Sequence, residues 1–142
     1  MSADRDARNM KIVVGYDGSD AAKRALSRAA DLAADRAEVV VVAAAEPRAR
    51  AGITEGAHLD PSEAERRRKD LDEAAAFLSE RGIKAETIEA QGDPGDVVVD
   101  VAKDADLAVV GSRGLNPLQR LLLGSVSSKV VHRAGCDVLV VR

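Results

Sequence analysis

The apolar residues of this chain fall into short runs, separated by longer segments in which they recur at helical spacing. Lys11 to Tyr16 is rich in β-branched residues and too short for a helix, so it reads as a strand. Ser19 then suits a helix N-cap. Ala22, Ala25, Leu26, Ala29 and Ala33 follow at the period of an amphipathic helix running to about Asp35. Val39 to Ala45 is continuously apolar, as expected of a strand covered on both faces, although its closing Ala43-Ala44-Ala45 favours helix locally. Pro47 to Asp60 carries no period and reads as a long loop, the kind that is usually functional or mobile. A second helix begins at Asp60-Pro61-Ser62-Glu63, with Asp60 as N-cap, proline in the first turn and Glu63 at the capping-box position. Leu71, Ala74, Ala75 and Leu78 form its apolar stripe, and Gly82 ends it.

Ile83 to Ala90 alternates loosely and carries charges, the pattern of an edge strand. Asp93-Pro94 opens a third helix with Val97, Val98, Val101, Ala102 and Ala105 facing inward. Leu107 to Val110 is a strand, Ser125 to Arg133 a helix with Gly135 as its C-cap, and Val138 to Val141 the last strand. Buried strands alternating with amphipathic helices define an α/β domain, a parallel sheet with helices on both faces. It spans residues 10–142, with 1–9 as a polar, frayed tail lacking the apolar core of a signal peptide.

Composition narrows the function classes. The chain has 142 residues, 46% hydrophobic and 32% charged, an ordinary globular balance for one domain. Aromatics are 1% and the formal net charge is −3, so both the stacking platform and the basic footprint of a nucleic-acid binder are missing. The Arg66-Arg67-Arg68-Lys69 run is interleaved with Glu63, Glu65, Asp70, Asp72 and Glu73 and reads as a solvated helix face. No apolar run approaches the ~20 residues of a membrane span. The single cysteine, Cys136, excludes an internal disulfide, fits a reducing cytoplasm and reads as a buried, inert thiol. His58 and His132 lie far apart without ligand spacing, and no serine has the partners of a nucleophilic triad.

Most of the chemical information lies in Val109-Val110-Gly111-Ser112-Arg113-Gly114 and, further on, Gly124-Ser125. A strand ends at Gly111, a glycine-containing loop follows, and a helix starts at Ser125. Glycine lets backbone approach a ligand, and the N–H groups and positive dipole end of a helix favour an anion. Together they would make a phosphate cradle, although tight turns and a C-cap explain the same glycines equally well. Neither the G-x-x-x-x-G-K-[ST] loop nor G-x-G-x-x-G occurs.

Gly111-x2-Gly114-x9-Gly124-Ser125 resembles the nucleotide signature of the universal stress protein family. The opening Lys11 to Ser19 resembles its first strand and Asp-Gly-Ser turn, Gln91-Gly92-Asp93-Pro94 its Gly-Asp-Pro turn, and Cys136 to Arg142 its last strand. The resemblance implies a five-stranded, Rossmann-like sheet of order 3-2-1-4-5, which would set the ends of the first and fourth strands side by side at the switch point, where ligands bind. It also implies ATP as ligand, with or without Mg²⁺, in a stress-linked regulatory module working with a protein partner. Alternatives are a cyclic-AMP-binding member, a slow Mg²⁺-dependent ATPase and a ligand-free structural dimer. Carried over by position, Asp17 contacts the ribose or phosphate region with Gly15 beside it, and Ala44 lines the adenine pocket, where a bulkier aliphatic is usual. Val110, Gly111 and Gly114 line the base and phosphate side, and Gly124, Ser125 and Val126 close on the phosphates. Arg113 and Arg120 either balance phosphate charge or are surface arginines. No lysine occupies a Walker position and nothing positions an attacking water, so the pattern is a binder's rather than a catalyst's. The family resemblance further implies a homodimer through the apolar C-terminal strand, whose edge would otherwise stay open.

Overall fold

The computed structural model describes residues 10–45, 61–112 and 124–142. Five strands, β1 (Met10–Gly15), β2 (Ala37–Ala45), β3 (Ala85–Gln91), β4 (Leu107–Gly111) and β5 (Asp137–Val141), form one sheet of order β3-β2-β1-β4-β5. Every pairing is parallel. The chain builds outward from β1 to β3, then crosses back to place β4 and β5 on the other side of β1. The switch point therefore lies between β1 and β4.

Helices cover both faces, and the strands divide their side chains between them with the period of two that a pleated strand imposes. Ile12, Val14, Val39, Val41, Ala43 and Val109 pack against α1 (Asp20–Ala33) and α2 (Pro61–Glu80). Val13, Val40, Val42, Ala108 and Val110 pack against α3 (Pro94–Val101) and α4 (Ser125–Arg133). Alanine dominates the buried face of α1, where Ala21, Ala22, Ala25, Ala29, Ala30 and Ala33 let the helix lie close to the sheet. Ala43-Ala44-Ala45 stays in β2 despite its helical preference, because β3 pairs alongside all three residues. That is a tertiary override of local propensity.

The structure shifts several boundaries. β2 begins at Ala37 rather than Val39, and β3 runs over Ala85–Gln91, because Ile83 is pulled into the core by the turn at Gly82. Gly82 adopts φ +71, and the Ile83 N–H donates to the Leu78 carbonyl at 3.0 Å, so it does close α2. Asp60, expected to cap that helix, lies outside the described residues. α3 stops at Val101, and a single 3₁₀ turn over Ala102–Asp104 follows, leaving Ala105 beyond the helix. Gly135 is not a left-handed cap: α4 leaves through Ala134 in an extended conformation, its N–H donating to the Val130 carbonyl at 2.9 Å.

α1 ends on Ala34 at φ 45 and ψ −118, a conformation glycine takes far more easily. The strain of a Cβ there is ~1–2 kcal/mol, partly offset by glycine's greater freedom in the unfolded chain, about 0.5–1 kcal/mol. Ala34→Gly is expected to leave stability unchanged or raise it by up to about 1 kcal/mol in urea denaturation; a clear loss of stability would contradict the strain assigned to this cap.

Candidate functional site

A cavity of about 280 Å³ opens where β1 and β4 part. Gly15 and Asp17 enter it from the end of β1, Ala44 from the end of β2, Val110 and Gly111 from the end of β4, and Gly124, Ser125 and Val126 from the start of α4. The structure thus brings eight of the expected residues to one place; Arg113 and Gly114, like Arg120, lie outside the described residues. Tyr16, Ser19, Ala22, Val42, Pro94, Val98 and Ser127 also line the cavity and were not expected as site residues. Tyr16 and Ser19 flank Asp17 and could have been read from that neighbourhood. Val42, Val98 and Ser127 come in through the packing of layers, which leaves no local motif.

In a parallel sheet every helix starts where a strand has just ended, so three helix N-termini converge here. They are finished differently. At α1, the Ser19 hydroxyl accepts the Ala22 N–H at 3.2 Å, and Asp17 Oδ1 accepts the Ser19 N–H at 2.9 Å. At α3, Asp93 accepts the Asp96 N–H at 3.0 Å. α4 has glycine at its N-cap and no side-chain cap. Its first intrahelical bond runs from the Ser128 N–H to the Gly124 carbonyl at 2.9 Å, so helix geometry leaves the N–H groups of Ser125, Val126 and Ser127 without an acceptor inside the helix.

The side of the cavity near Asp17 is acidic. Gly18 turns the chain at φ +78, where an added Cβ would lie 2.7 Å from Asp70 Oδ2. Burial pushes the Asp70 carboxyl above its usual range, helped by Glu73, with Arg66 and Lys23 pulling the other way. Burial likewise raises the Tyr16 phenol, together with Asp70, Glu73 and Asp17, so it stays neutral at physiological pH. On the α3/α4 side, Lys129 Nζ lies 2.7 Å from Asp93 and 3.2 Å from Asp96, and Arg133 reaches Asp96 at 3.4 Å. The hydrogen bond from Lys129 is the main reason Asp93 stays below the usual carboxylate range. This cluster holds the starts of α3 and α4 side by side.

Val42, Ala44, Val98 and Val110 make the remaining wall apolar. Parallel pairing turns the polar groups of alternate residues to alternate neighbours. The Tyr16 N–H donates to the Val42 carbonyl at 2.8 Å and the Gly92 N–H to the Ala45 carbonyl at 3.1 Å. The N–H and C=O of Ala44 therefore face the β1 side, two residues beyond the last β1–β2 pair, Gly15 with Val42. They point into the cleft.

Gly111 has a different local role from the one its motif suggests. A Cβ on it would fall 2.8 Å from the Ala21 Cβ and 2.9 Å from the Ala21 carbonyl carbon. Its missing side chain makes room for the start of α1 as well as lining the cavity. Gly15 is similarly tight, with Val98 and Val110 methyls 3.1 and 3.3 Å from where a Cβ would be. Among the described residues no group of three or more His, Cys, Asp or Glu could hold a metal ion. Cys136 is half-buried, and burial with nearby Asp137 raises its thiol, which disfavours the reactive thiolate. No described helix is long and apolar enough to cross a membrane.

Fold and site together define a doubly wound α/β domain with a ligand-sized cleft at its switch point. The model of the universal stress protein family matches residues 8–142, and the chain belongs to that family. It is 36% identical to the universal stress protein YxiE of Bacillus subtilis, over 93% of this chain and 98% of the relative. Among solved structures it is similar to a universal stress protein in complex with cAMP, with 33% identity, a TM-score of 0.73, and 94% of this chain and 97% of that one covered. A second is the universal stress protein of Archaeoglobus fulgidus in complex with dAMP, with 27% identity, a TM-score of 0.72, and 94% and 98% covered.

The packing at Gly111 is open to a direct test. Gly111→Ala is expected to destabilise the domain by about 1–3 kcal/mol through overpacking against Ala21, read from urea denaturation. Unchanged stability would show that α1 is not seated on this glycine.

Proposed function

We propose that the cleft binds an adenine nucleotide, ATP in the first instance, and that the protein acts as a stress-linked regulatory module rather than as an efficient enzyme. The observation that carries this reading is the uncapped N-terminus of α4, which faces a cavity whose other walls are apolar or acidic. A phosphate there meets N–H groups and the positive end of the helix. It also stays away from Asp17, Asp70 and Glu73, so the field orients the ligand. The base then lies along Val42, Ala44, Val98 and Val110, where the Ala44 N–H and C=O offer the donor and acceptor that the edge of adenine requires. Asp17 keeps one carboxylate oxygen for a ribose hydroxyl after the other has accepted the Ser19 N–H.

Support comes also from the two relatives solved with cAMP and dAMP, ligands that have in common adenine, a pentose and one phosphate, the pentose being ribose in the first and deoxyribose in the second. Cyclic AMP is the second reading, favoured by the 33% identical relative that carries it. None of the described lining residues is a lysine, arginine or histidine, so this chain offers little at those positions to drive hydrolysis; Mg²⁺ would accompany ATP through the phosphates.

Calorimetry with ATP, ADP, AMP, cyclic AMP and GTP tests the assignment. Adenine nucleotides are expected to bind and GTP to bind weakly, and Ser125→Ala to weaken ATP by about 1.5–3 kcal/mol for one lost hydrogen bond to a charged phosphate. Absence of binding across the series would refute the reading. Preference for cyclic AMP over ATP would select the second one, and steady phosphate release would move the protein into the enzyme class.

We propose further that the protein is a homodimer joined through β5. That strand ends the sheet with Val138, Leu139, Val140 and Val141 half-buried and, among the described residues, no strand paired to its outer edge. Apolar edges of this kind are association sites unless charged or covered, and antiparallel pairing with a second copy about a two-fold axis closes the sheet. Light scattering at micromolar concentration is expected to give twice the 14.9 kDa chain mass, with Val140→Lys shifting it toward the monomer. A monomeric wild type would rule the dimer out.

A further inference from the structure

Resting on the nucleotide reading above, we propose that Ser127 is a positioning residue of the site: its hydroxyl aims the start of α4 while leaving the helix's N–H groups open for phosphate. Ser127 is only 1% exposed, one of two polar residues buried among those described. Its Oγ lies 3.0 Å from the Ser112 carbonyl and 3.1 Å from the Gly124 carbonyl. Both are acceptors, so the single hydroxyl hydrogen is shared between them as a three-centre bond. The Ser112 carbonyl also accepts the Gly124 N–H at 2.7 Å, and the Ser112 N–H donates to the Val141 carbonyl at 2.7 Å. Ser112 is thus anchored to β5 on one side and to α4 on the other. Ser112 and Gly124 are thereby joined directly to each other.

The direction of these bonds matters. In a capping box, a side chain at the third helical position reaches back to the N-cap N–H, while the N-cap side chain takes another N–H. Here the Gly124 N–H is taken by the Ser112 carbonyl, glycine has no side chain to offer, and Ser127, at the third helical position, donates instead of accepting. The turn is fixed without consuming an N–H of Ser125, Val126 or Ser127 itself. The caps of α1 and α3 do the opposite: Ser19 takes the Ala22 N–H, and Asp93 takes N–H groups of Gly95 and Asp96 while adding a negative charge. A buried hydroxyl kept only for packing would support the base and phosphate ends of the cleft alike, whereas this arrangement predicts an effect confined to phosphate.

The test compares ATP with adenosine, which lacks phosphate, by calorimetry on wild type, Ser127→Ala, Ser127→Cys and Ser127→Thr, with folding checked by circular dichroism. Ser127→Ala is expected to bind ATP about tenfold more weakly and adenosine as the wild type does; Ser127→Thr, which keeps the hydroxyl, restores ATP binding. Ser127→Cys keeps the size and replaces the donor with a weak S–H, so it shows the same split should the alanine variant not fold. Parallel loss of ATP and adenosine, or wild-type ATP affinity in a folded Ala or Cys variant, overturns the role of Ser127 alone. A wild type that binds neither ligand overturns the nucleotide reading and this assignment with it.

Discussion

The site follows from the parallel pairing of β1 with both β2 and β4. Parallel strands all end at the same edge of the sheet, and each helix must start from that edge to carry the chain back. Because β1 is central and the chain crosses over it between β3 and β4, the helices that follow β1 and β4 lie on opposite faces of the sheet, and the switch point opens between the two strand ends. A cleft with helix N-termini on its walls is therefore a consequence of topology. What this sequence adds is the finish of each terminus: the Ser19 and Asp93 side chains take up free donors of their helices, and Gly124, with no side chain, takes none. The same sheet edge thus becomes receptive to an anion at one place and acidic at another.

Charge and packing reinforce that asymmetry. Asp70 and Glu73 reach the β1 turn from α2, on the face opposite to α4, and Gly18 makes space for Asp70. Lys129 does not line the cavity; it is held by Asp93 and Asp96 and fastens α3 to α4. The fixed positive potential that a phosphate would meet among the described residues thus comes from backbone dipoles. Such groups are already oriented before the ligand arrives, so little reorganisation accompanies binding.

Much of the fold was legible because strands covered on both faces are continuous apolar runs: Ile12-Val13-Val14 and Val39 to Val42 announce themselves without a motif. The order β3-β2-β1-β4-β5 came from family resemblance, since local patterns cannot say which strands become neighbours. Ends of elements were harder. Gly135 looked like a cap by composition, yet Ala134 leaves the helix extended, and nothing local distinguishes a glycine with negative φ from one with positive φ. Gly111 was legible as important but for only part of the reason, because Ala21 is ninety residues away in sequence and meets it only in the fold. Ser127 carried no signal beyond being one of several serines; its role depends on Ser112 and Val141, which tertiary structure alone brings to it.

The central claim is that the α4 N-terminus is where phosphate sits and the end of β2 is where the base sits. Backbone amide chemical shifts of the isotopically labelled protein, followed during titration with AMP and separately with adenosine, test it directly. Saturable shifts at Ala44 with both ligands, and at Ser125, Val126 and Ser127 with AMP alone, are the predicted result. Shifts at the α4 amides that are equal for both ligands, or AMP-dependent shifts confined to another part of the surface, would contradict it.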